Sequence, residues 1–433
     1  MWVPIVRLFR RIPLLPYVFL AVLALLGVSF LRQDKQSSQL EEIDSLELRI
    51  SELQKRLNYL QGEKSQRDVN PKLRGQLDKP EGEQNVPRHP DVAGMVLPVL
   101  MMACNRPTVG RALDSLLRHN PDLTRFPVIV SQDCGDVPTA KVIEKYLPKI
   151  THIKHVNNTP IKTKKKGENM GYYKISRHYL WALTQIFDVH DYSAVVIVED
   201  DLEISPDFYE YFLATYALLE QDPTLMCVSA WNDNGKQNFI DESTPQMLYR
   251  TDFFPGLGWM LNKNTFKQLQ PKWPAAYWDD WLREPAQMGQ GMRSCIRPEV
   301  SRTSTFGQKG VSNGQFFNQH LQYIHHAGSN VHFTQLDLSY LIKENFDALM
   351  DEELEKVPVV GVDEVTKTVT DHSKVRVEYK DNKDFTDKAK RFSIMTDMKS
   401  GIPRTAYRGV VTFIHMGVRV YLVPKRPWTG YHT

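Results

Sequence analysis

Glu199, Asp200 and Asp201 follow one another at the end of the apolar run YSAVVIV. Three adjacent carboxylates repel unless a cation or arginines hold them, and hard oxygen donors suit Mg²⁺ or Mn²⁺ bridging a diphosphate. A solvated turn or a helix cap gives the same triplet, so its place after a strand-like run is what points to a metal site. Two earlier runs also end in polar or reactive residues: VLPVLMMAC leads into Asn105-Arg106, and FPVIVSQDC contains Asp133 beside Cys134. No Gly-x-Gly-x-x-Gly and no Walker-type loop follows any run, so a phosphate would have to be met by charged groups rather than by a glycine-rich nest.

The elements that must position these residues alternate. After VLPVLMMAC comes a helical pattern with Leu113, Leu116 and Leu117; after FPVIVSQDC one with Val142, Ile143 and Tyr146; then THIKHV, a helix from about Gly171 to Phe187, and the run carrying the triplet. Buried parallel strands joined by crossover helices make an open doubly wound α/β sheet, whose ligands bind beyond the carboxyl ends of the strands. Cys104 and Cys134 then close consecutive strands at one edge, where a bridge between them is geometrically available; Cys227 and Cys295 are left to pair, or some of the four remain free buried thiols. From about Ile342 the runs VPVVGV, VRVEYK and VVTFIHMGVRVYLV predict a small β-containing C-terminal domain.

The chain has 433 residues, with 54 Lys plus Arg against 51 Asp plus Glu, 42% hydrophobic and 24% charged. That balance excludes a disordered chain and a polybasic nucleic-acid binder. Residues 12–31 form an uncharged stretch long enough to cross a bilayer, preceded by Arg7, Arg10 and Arg11, which predicts an uncleaved anchor rather than a cleaved signal peptide, with residues 1–11 in the cytosol and the remainder in the lumen or outside. Ile43, Leu46, Ile50, Leu53, Leu57 and Leu60 make a heptad seam within 40–60, suited to a parallel homodimer or to a single amphipathic helix. Pro71, Pro80, Pro87 and Pro90 mark a spacer, so 32–93 reads as a stem. The expected division is then 94–341 for the doubly wound α/β domain and 342–433 for the C-terminal one. Asn157-Asn158-Thr159 is a sequon in a lumenal segment.

The strings ACNRPTVGRALDSLL, VSQDCG, GYYKISRHY, VVIVEDDLEISPDFYEYF, VSAWNDNGK, YRTDFFPGLGWM, WDDWLREP, RPEVSRTSTFGQKGVSNGQFF and SGIPRTAYRGVVTF together resemble the N-acetylglucosaminyltransferase I family from about Val96 to Tyr431. The resemblance implies a GT-A, Rossmann-like glycosyltransferase fold, a UDP-GlcNAc donor, an N-glycan acceptor, Mn²⁺ and residence in the Golgi membrane. By the same resemblance Asp201 binds the metal, Glu199 and Asp200 face the donor's sugar and ribose, Asp133 and His178 contact the uracil side, Arg106 lies at the diphosphate, Ser312 touches phosphate, and Asp279 is the catalytic base. The membrane end, the stem and the segment from Ala286 to Ser294 depart from the family's pattern.

An inverting transfer needs a carboxylate to take the acceptor hydroxyl's proton and a countercharge for departing UDP. Each assignment has a plainer reading beside it. Asp279 could pair structurally with Arg283 while Asp280 serves as base; His178 could be a packed core histidine; Arg106 could cap a turn. Transfer to O-linked mannose, or a non-catalytic lectin or tether on the same fold, are the alternative functions.

Overall fold

The computed structural model describes residues 94–157, 159–164, 166–288, 293–308, 310–311, 314–366, 373–425 and 427–431. The expected anchor, the heptad seam, Asn158 and Ser312 lie outside them. Among the described residues no helix is long and apolar enough to cross a membrane.

In chain order the first half comprises β1 (Val99–Ala103), α1 (Val109–His119), β2 (Val128–Gln132), α2 (Val137–Glu144), β3 (Thr151–Lys154), α3 (Met170–Thr184), β4 (Ala194–Glu199), β5 (Leu202–Ile204) and α4 (Phe208–Gln221). There follow β6 (Leu225–Ser229), β7 (Leu248–Thr251), β8 (Trp259–Asn262), α5 (Lys263–Leu269), α6 (Trp278–Leu282), β9 (Ser294–Pro298) and β10 (Thr303–Thr305). Among the described residues an eight-stranded sheet runs β3-β2-β1-β4-β8-β6-β9-β7. The first four strands are parallel to one another, as the alternating pattern predicts. Beyond β4 the sheet is mixed: β8 is antiparallel to β4 and β6, and β7 is antiparallel to β9.

The strands at the centre read as unbroken apolar runs because both faces are covered. On β1, Val99 and Met101 pack with α1 and α4 through Leu113, Leu116, Phe208 and Phe212. Leu100 and Met102 point the other way, into α3 and α5 through Tyr179, Leu183, Phe266 and Leu269. Two disulfides staple the sheet. Cys104–Cys134 joins the ends of β1 and β2 with Cα atoms 5.2 Å apart, and Cys227–Cys295 joins register partners on β6 and β9.

A second sheet, β11 (Lys374–Tyr379), β15 (Val418–Pro424) and β14 (Val411–His415), packs against α8 (Asn382–Phe392) around Val377, Phe385, Phe413 and Val420. It follows helix α7 (Lys343–Lys356), and between α8 and β14 lies the hairpin β12 (Met398–Lys399) and β13 (Ile402–Pro403). The run VPVVGV is not a strand: it makes one bridge, Val359 to Arg376, because Pro358 lacks an amide proton and Val362 already opens a helical turn.

Ion pairs are buried where the sheet meets these later elements. Asp222 accepts from Arg250 Nη1 at 2.6 Å and from the Lys343 amide at 3.0 Å, with both side chains shielded from solvent. Removing one member leaves the other charge unpaired in a poorly solvated place. Asp222→Ala is expected to cost about 3–5 kcal/mol in denaturant unfolding, whereas Glu144→Ala, which breaks the exposed pair with Lys154, costs below about 1 kcal/mol. Similar losses for the two variants would contradict this.

Candidate active site

The chain runs β1, β2, β3 outward on one side and then returns to lay β4 on the other side of β1. That reversal opens a crevice beyond the carboxyl ends of β1 and β4, the place where a doubly wound sheet binds ligands. Met102 and Glu199 are register partners there, so Cys104-Asn105-Arg106 and Glu199-Asp200-Asp201 leave the sheet side by side. Arg106 lies between two of the acids: Nε donates to Asp200 Oδ1 at 2.8 Å and Nη2 lies 3.0 Å from Asp201 Oδ2. The Cys104 amide donates to Asp200 Oδ2 at 3.3 Å.

All three carboxyls are hard to ionise. Burial pushes Glu199 up to about 8, helped by the charges of Asp201, Asp200 and Asp279 and opposed by the Tyr179 hydroxyl, which donates to Glu199 Oε1 at 3.0 Å. Burial lifts Asp200 to about 6 against the pull of Arg106, and raises Asp201 likewise. Among the described residues Arg106 pairs with Asp200 and Asp201 while Glu199 meets only a hydroxyl, so the cluster is short of positive charge.

Among the described residues no group of three or more His, Cys, Asp or Glu side chains converges to hold an ion unaided. A Mg²⁺-like cation does not require one, since it is commonly held by one or two carboxylates with water and phosphate oxygens completing the shell. The buried, undercompensated oxygens of Asp201 and its neighbours fit that donor set.

Beyond the triplet, β5 pairs with β10, which brings the following segment back over the acids. The Phe306 amide donates to the Asp201 carbonyl at 3.0 Å. A Cβ on Gly307 would fall 1.8 Å from Asp201 Oδ2, so this approach requires glycine. The segment continues to Val311, whose carbonyl accepts from Asn169 Nδ2 at 3.4 Å in front of α3. An open pocket of about 460 Å³ beside it is lined by Arg106, Thr108, Arg111, Phe306 and Gln308.

On the β2 side Asp133 Oδ1 contacts His155 Nδ1 at 3.1 Å, and His178 Nε2 contacts Ser131 Oγ at 2.7 Å. The two imidazoles stack nearly parallel with centroids 5.5 Å apart, and Trp181 stacks on His155 at 4.8 Å. Burial lowers His178 to about 4, with Asp133 pulling up and His155 pushing down, so it is neutral at physiological pH. A ring stack beside a carboxylate is suited to the edge of a planar heterocycle. His178 is thus both a packed histidine and a neighbour of Asp133.

Asp279 sits on the single turn α6, entered through Tyr277 in the left-handed region at φ 55°. Its side chain is 43% exposed, and Oδ2 accepts from Arg283 Nη1 at 3.0 Å, so the pairing suggested by the spacing is present. Asp280 instead meets Lys399 Nζ at 2.6 Å. Trp278 stacks on Tyr179 at 4.1 Å, which ties Asp279's turn to the hydroxyl that holds Glu199.

The structure therefore gathers Arg106, Glu199, Asp200 and Asp201, sets Asp133 with His178 along the same sheet edge, and links Asp279 through Tyr179 and Trp278. Sequence reasoning missed Tyr179, His155 and Lys399. His155 directly follows β3 just as Asp133 directly follows β2, a signal that was legible; the others act through long-range contacts.

Known proteins resemble the chain as follows. The GNT-I family model matches residues 14–433. An alpha-1,3-mannosyl-glycoprotein 2-beta-N-acetylglucosaminyltransferase of Arabidopsis thaliana is 43% identical over 332 residues, covering 76% of this chain and 74% of the plant protein. Among solved structures, S. aureus TarS matches at 16% identity and TM-score 0.34, over 50% of this chain and 37% of TarS. The mannosyltransferase PcManGT of Pyrobaculum calidifontis, in complex with GDP-Man and Mn²⁺, matches at 15% identity and TM-score 0.32, over 61% of this chain and 77% of that one.

The raised carboxyl of Glu199 has a signed consequence. An unfolded glutamate ionises near 4.5 and the folded one near 8, so the folded state retains the extra proton between those values. Its contribution to stability is complete below about pH 4.5 and is lost as pH rises through 8. Without divalent cations, the thermal midpoint is expected to fall more steeply from about pH 5 to 8 in the wild type than in Glu199→Gln, as read by scanning calorimetry. Parallel curves would contradict the assignment.

Proposed function

The chain belongs to the GNT-I family, and from that premise we propose that it transfers N-acetylglucosamine from UDP-GlcNAc to the α1,3-linked mannose of an N-glycan, forming a β1,2 bond. The observation that carries the reading is the junction at the β1–β4 reversal, where Arg106 spans Asp200 and Asp201 on one side and Asp279 projects from α6 on the other.

The donor's charged groups meet Arg106, whose guanidinium is available to diphosphate once the carboxylates take a cation instead. Asp201, the member of the triplet farthest from the strand, would hold a divalent cation, with Glu199 and Asp200 disposed toward sugar and ribose. When bound, such a cation supplies charge stabilisation to the leaving nucleotide. Asp133 and the neutral His178 accept the uracil edge. Asp279 takes the proton of the attacking mannose hydroxyl: one oxygen is fixed by Arg283, leaving Oδ1 to face the acceptor, and its partial exposure allows a glycan to reach it. Phe306 and Gly307 close over Asp201 and keep water from the sugar nucleotide. The outcome is inversion, because the acceptor attacks opposite the departing phosphate.

The parts outside the described residues extend the reading. Residues 12–31 anchor the protein in the Golgi membrane as a single-pass type II enzyme, the heptad seam pairs two stems, and Ser312 touches phosphate. Support comes from the basic residues ahead of the apolar stretch and from two disulfides suited to an oxidising lumen.

Two outcomes test the function. Offered UDP-GlcNAc with a five-mannose N-glycan or an O-mannosyl peptide, the protein should add one N-acetylhexosamine to the N-glycan alone by mass spectrometry; addition to the peptide alone would transfer the assignment to the O-mannose reaction. Asp279→Asn is expected to lower kcat by about 10²–10⁴-fold while calorimetric affinity for UDP-GlcNAc stays within about twofold. Undiminished turnover would remove Asp279 as base.

A further inference from the structure

Helix α6 has five residues, too few to be stable or oriented by its own hydrogen bonds. Its N-terminus has no side-chain cap, and Tyr277 enters it in the left-handed region. The roll of the turn about its axis, which decides where Asp279 points, must therefore be set from outside.

Residues four apart share one face of a helix, so the turn offers three adjacent stripes. Trp278 and Leu282 form the first and are buried. Trp278 lies against Tyr179, Trp259 and Trp273, and these contacts fix the depth of the turn. Asp279 and Arg283 form the second, pinned by the Arg283 Nε donation to the Phe254 carbonyl at 3.1 Å. Asp280 and Glu284 form the third, and one side chain holds both: Lys399 Nζ lies 2.6 Å from Asp280 Oδ2 and 3.3 Å from Glu284 Oε1.

Lys399 reaches the turn from a rigid base. It ends β12, and the two-residue connection to β13, Ser400 and Gly401, has φ of 50° and 76°. Positive φ at both central residues is the type I′ geometry of a tight hairpin. Ile402 on the return strand is buried. Arg404, just past the hairpin, is held by Asp233 at 2.8 Å and by Asp397 at 3.2 Å. Arg404 and Arg283 also lie over the same Phe253 ring, at 4.9 and 5.1 Å.

We propose that Lys399, presented by the Met398–Pro403 hairpin, is a positioning residue for the transfer reaction: by gripping Asp280 and Glu284 it fixes the roll of α6, aims Asp279 at the acceptor hydroxyl and keeps Asp280 occupied. The inference rests on the glycosyltransferase reading of the same site and gives the segment after α8 a part in acceptor chemistry. Lys399 acts through Asp280 and Glu284 rather than on the reacting atoms. A misplacement of about 1 Å at a reacting group can cost about 10²-fold in rate, whereas a half-exposed ion pair contributes little to stability. Positioning and structural roles therefore predict different measurements.

The experiment compares the full-length wild type with Lys399→Met, Lys399→Arg, Asp280→Asn and the exchanged pair Lys399→Asp with Asp280→Lys. For each, kcat with an N-glycan acceptor, calorimetric affinity for UDP-GlcNAc and the thermal midpoint are measured. Lys399→Met is expected to lose about 10–100-fold in kcat, with donor affinity within about twofold and the midpoint within about 2 °C. Lys399→Arg and the exchanged pair should recover most of the loss, and Asp280→Asn should reproduce part of it. A kcat for Lys399→Met within twofold of wild type would overturn the inference, as would a loss that Lys399→Arg and the exchanged pair both fail to restore. Should Lys399→Met not fold, Asp280→Asn decides by the same criterion. Asp279→Asn in the same series separates the two levels of the argument: its inactivity beside a fully active Lys399→Met removes only the positioning role, whereas its undiminished turnover removes the base on which that role depends.

Discussion

Crowded negative charge at the end of a buried strand is the constraint around which this molecule is arranged. Glu199, Asp200 and Asp201 leave the sheet where water is scarce, and among the described residues the guanidinium of Arg106 pairs with two of them. Burial accordingly displaces all three carboxyls upward, Glu199 to about 8 and Asp200 to about 6. The same crowding makes the crevice receptive to a divalent cation and to the anionic ligand that accompanies it. Stability foregone here is recovered elsewhere, in the apolar layers on both faces of the sheet and in satisfied buried pairs such as Asp222 with Arg250.

The surrounding elements serve that charged junction at different ranges. The bridge between Cys104 and Cys134 holds the ends of β1 and β2, which carry Arg106 and Asp133. Tyr179 reaches from α3 to Glu199 and offers its ring to Trp278, so the acids and the turn bearing Asp279 share one aromatic intermediary. From the opposite side the hairpin after α8 grips that turn through Lys399. The acid cluster and the turn bearing Asp279 are thus held by separate parts of the chain that meet on one stack of rings.

Much of this was legible before any coordinates. Unbroken apolar runs such as VVIV and VLMM betray strands covered on both faces, and polar residues at their ends mark the edge where the acids and Arg106 converge. The antiparallel insertion of β8 was not legible, because WMLN has the same apolar run whichever way it is laid down. VPVVGV misled for a local reason, its proline and glycine breaking a pattern that hydrophobicity alone favoured. At the site, residues lying next to strand ends were identifiable, and the spacing of Asp279 and Arg283 gave their pairing. Lys399 and Tyr179 were invisible because their partners lie 119 and 20 residues away and nothing in their immediate neighbours announces the contact.

The most direct measurement is anomalous diffraction at the manganese edge from crystals of the protein grown with manganese and UDP-GlcNAc. The account predicts one strong peak within bonding distance of an Asp201 carboxylate oxygen and of the nucleotide's phosphates, with Arg106 drawn away from Asp201. A peak elsewhere, with Asp201 still paired to Arg106 and the nucleotide bound, would contradict it.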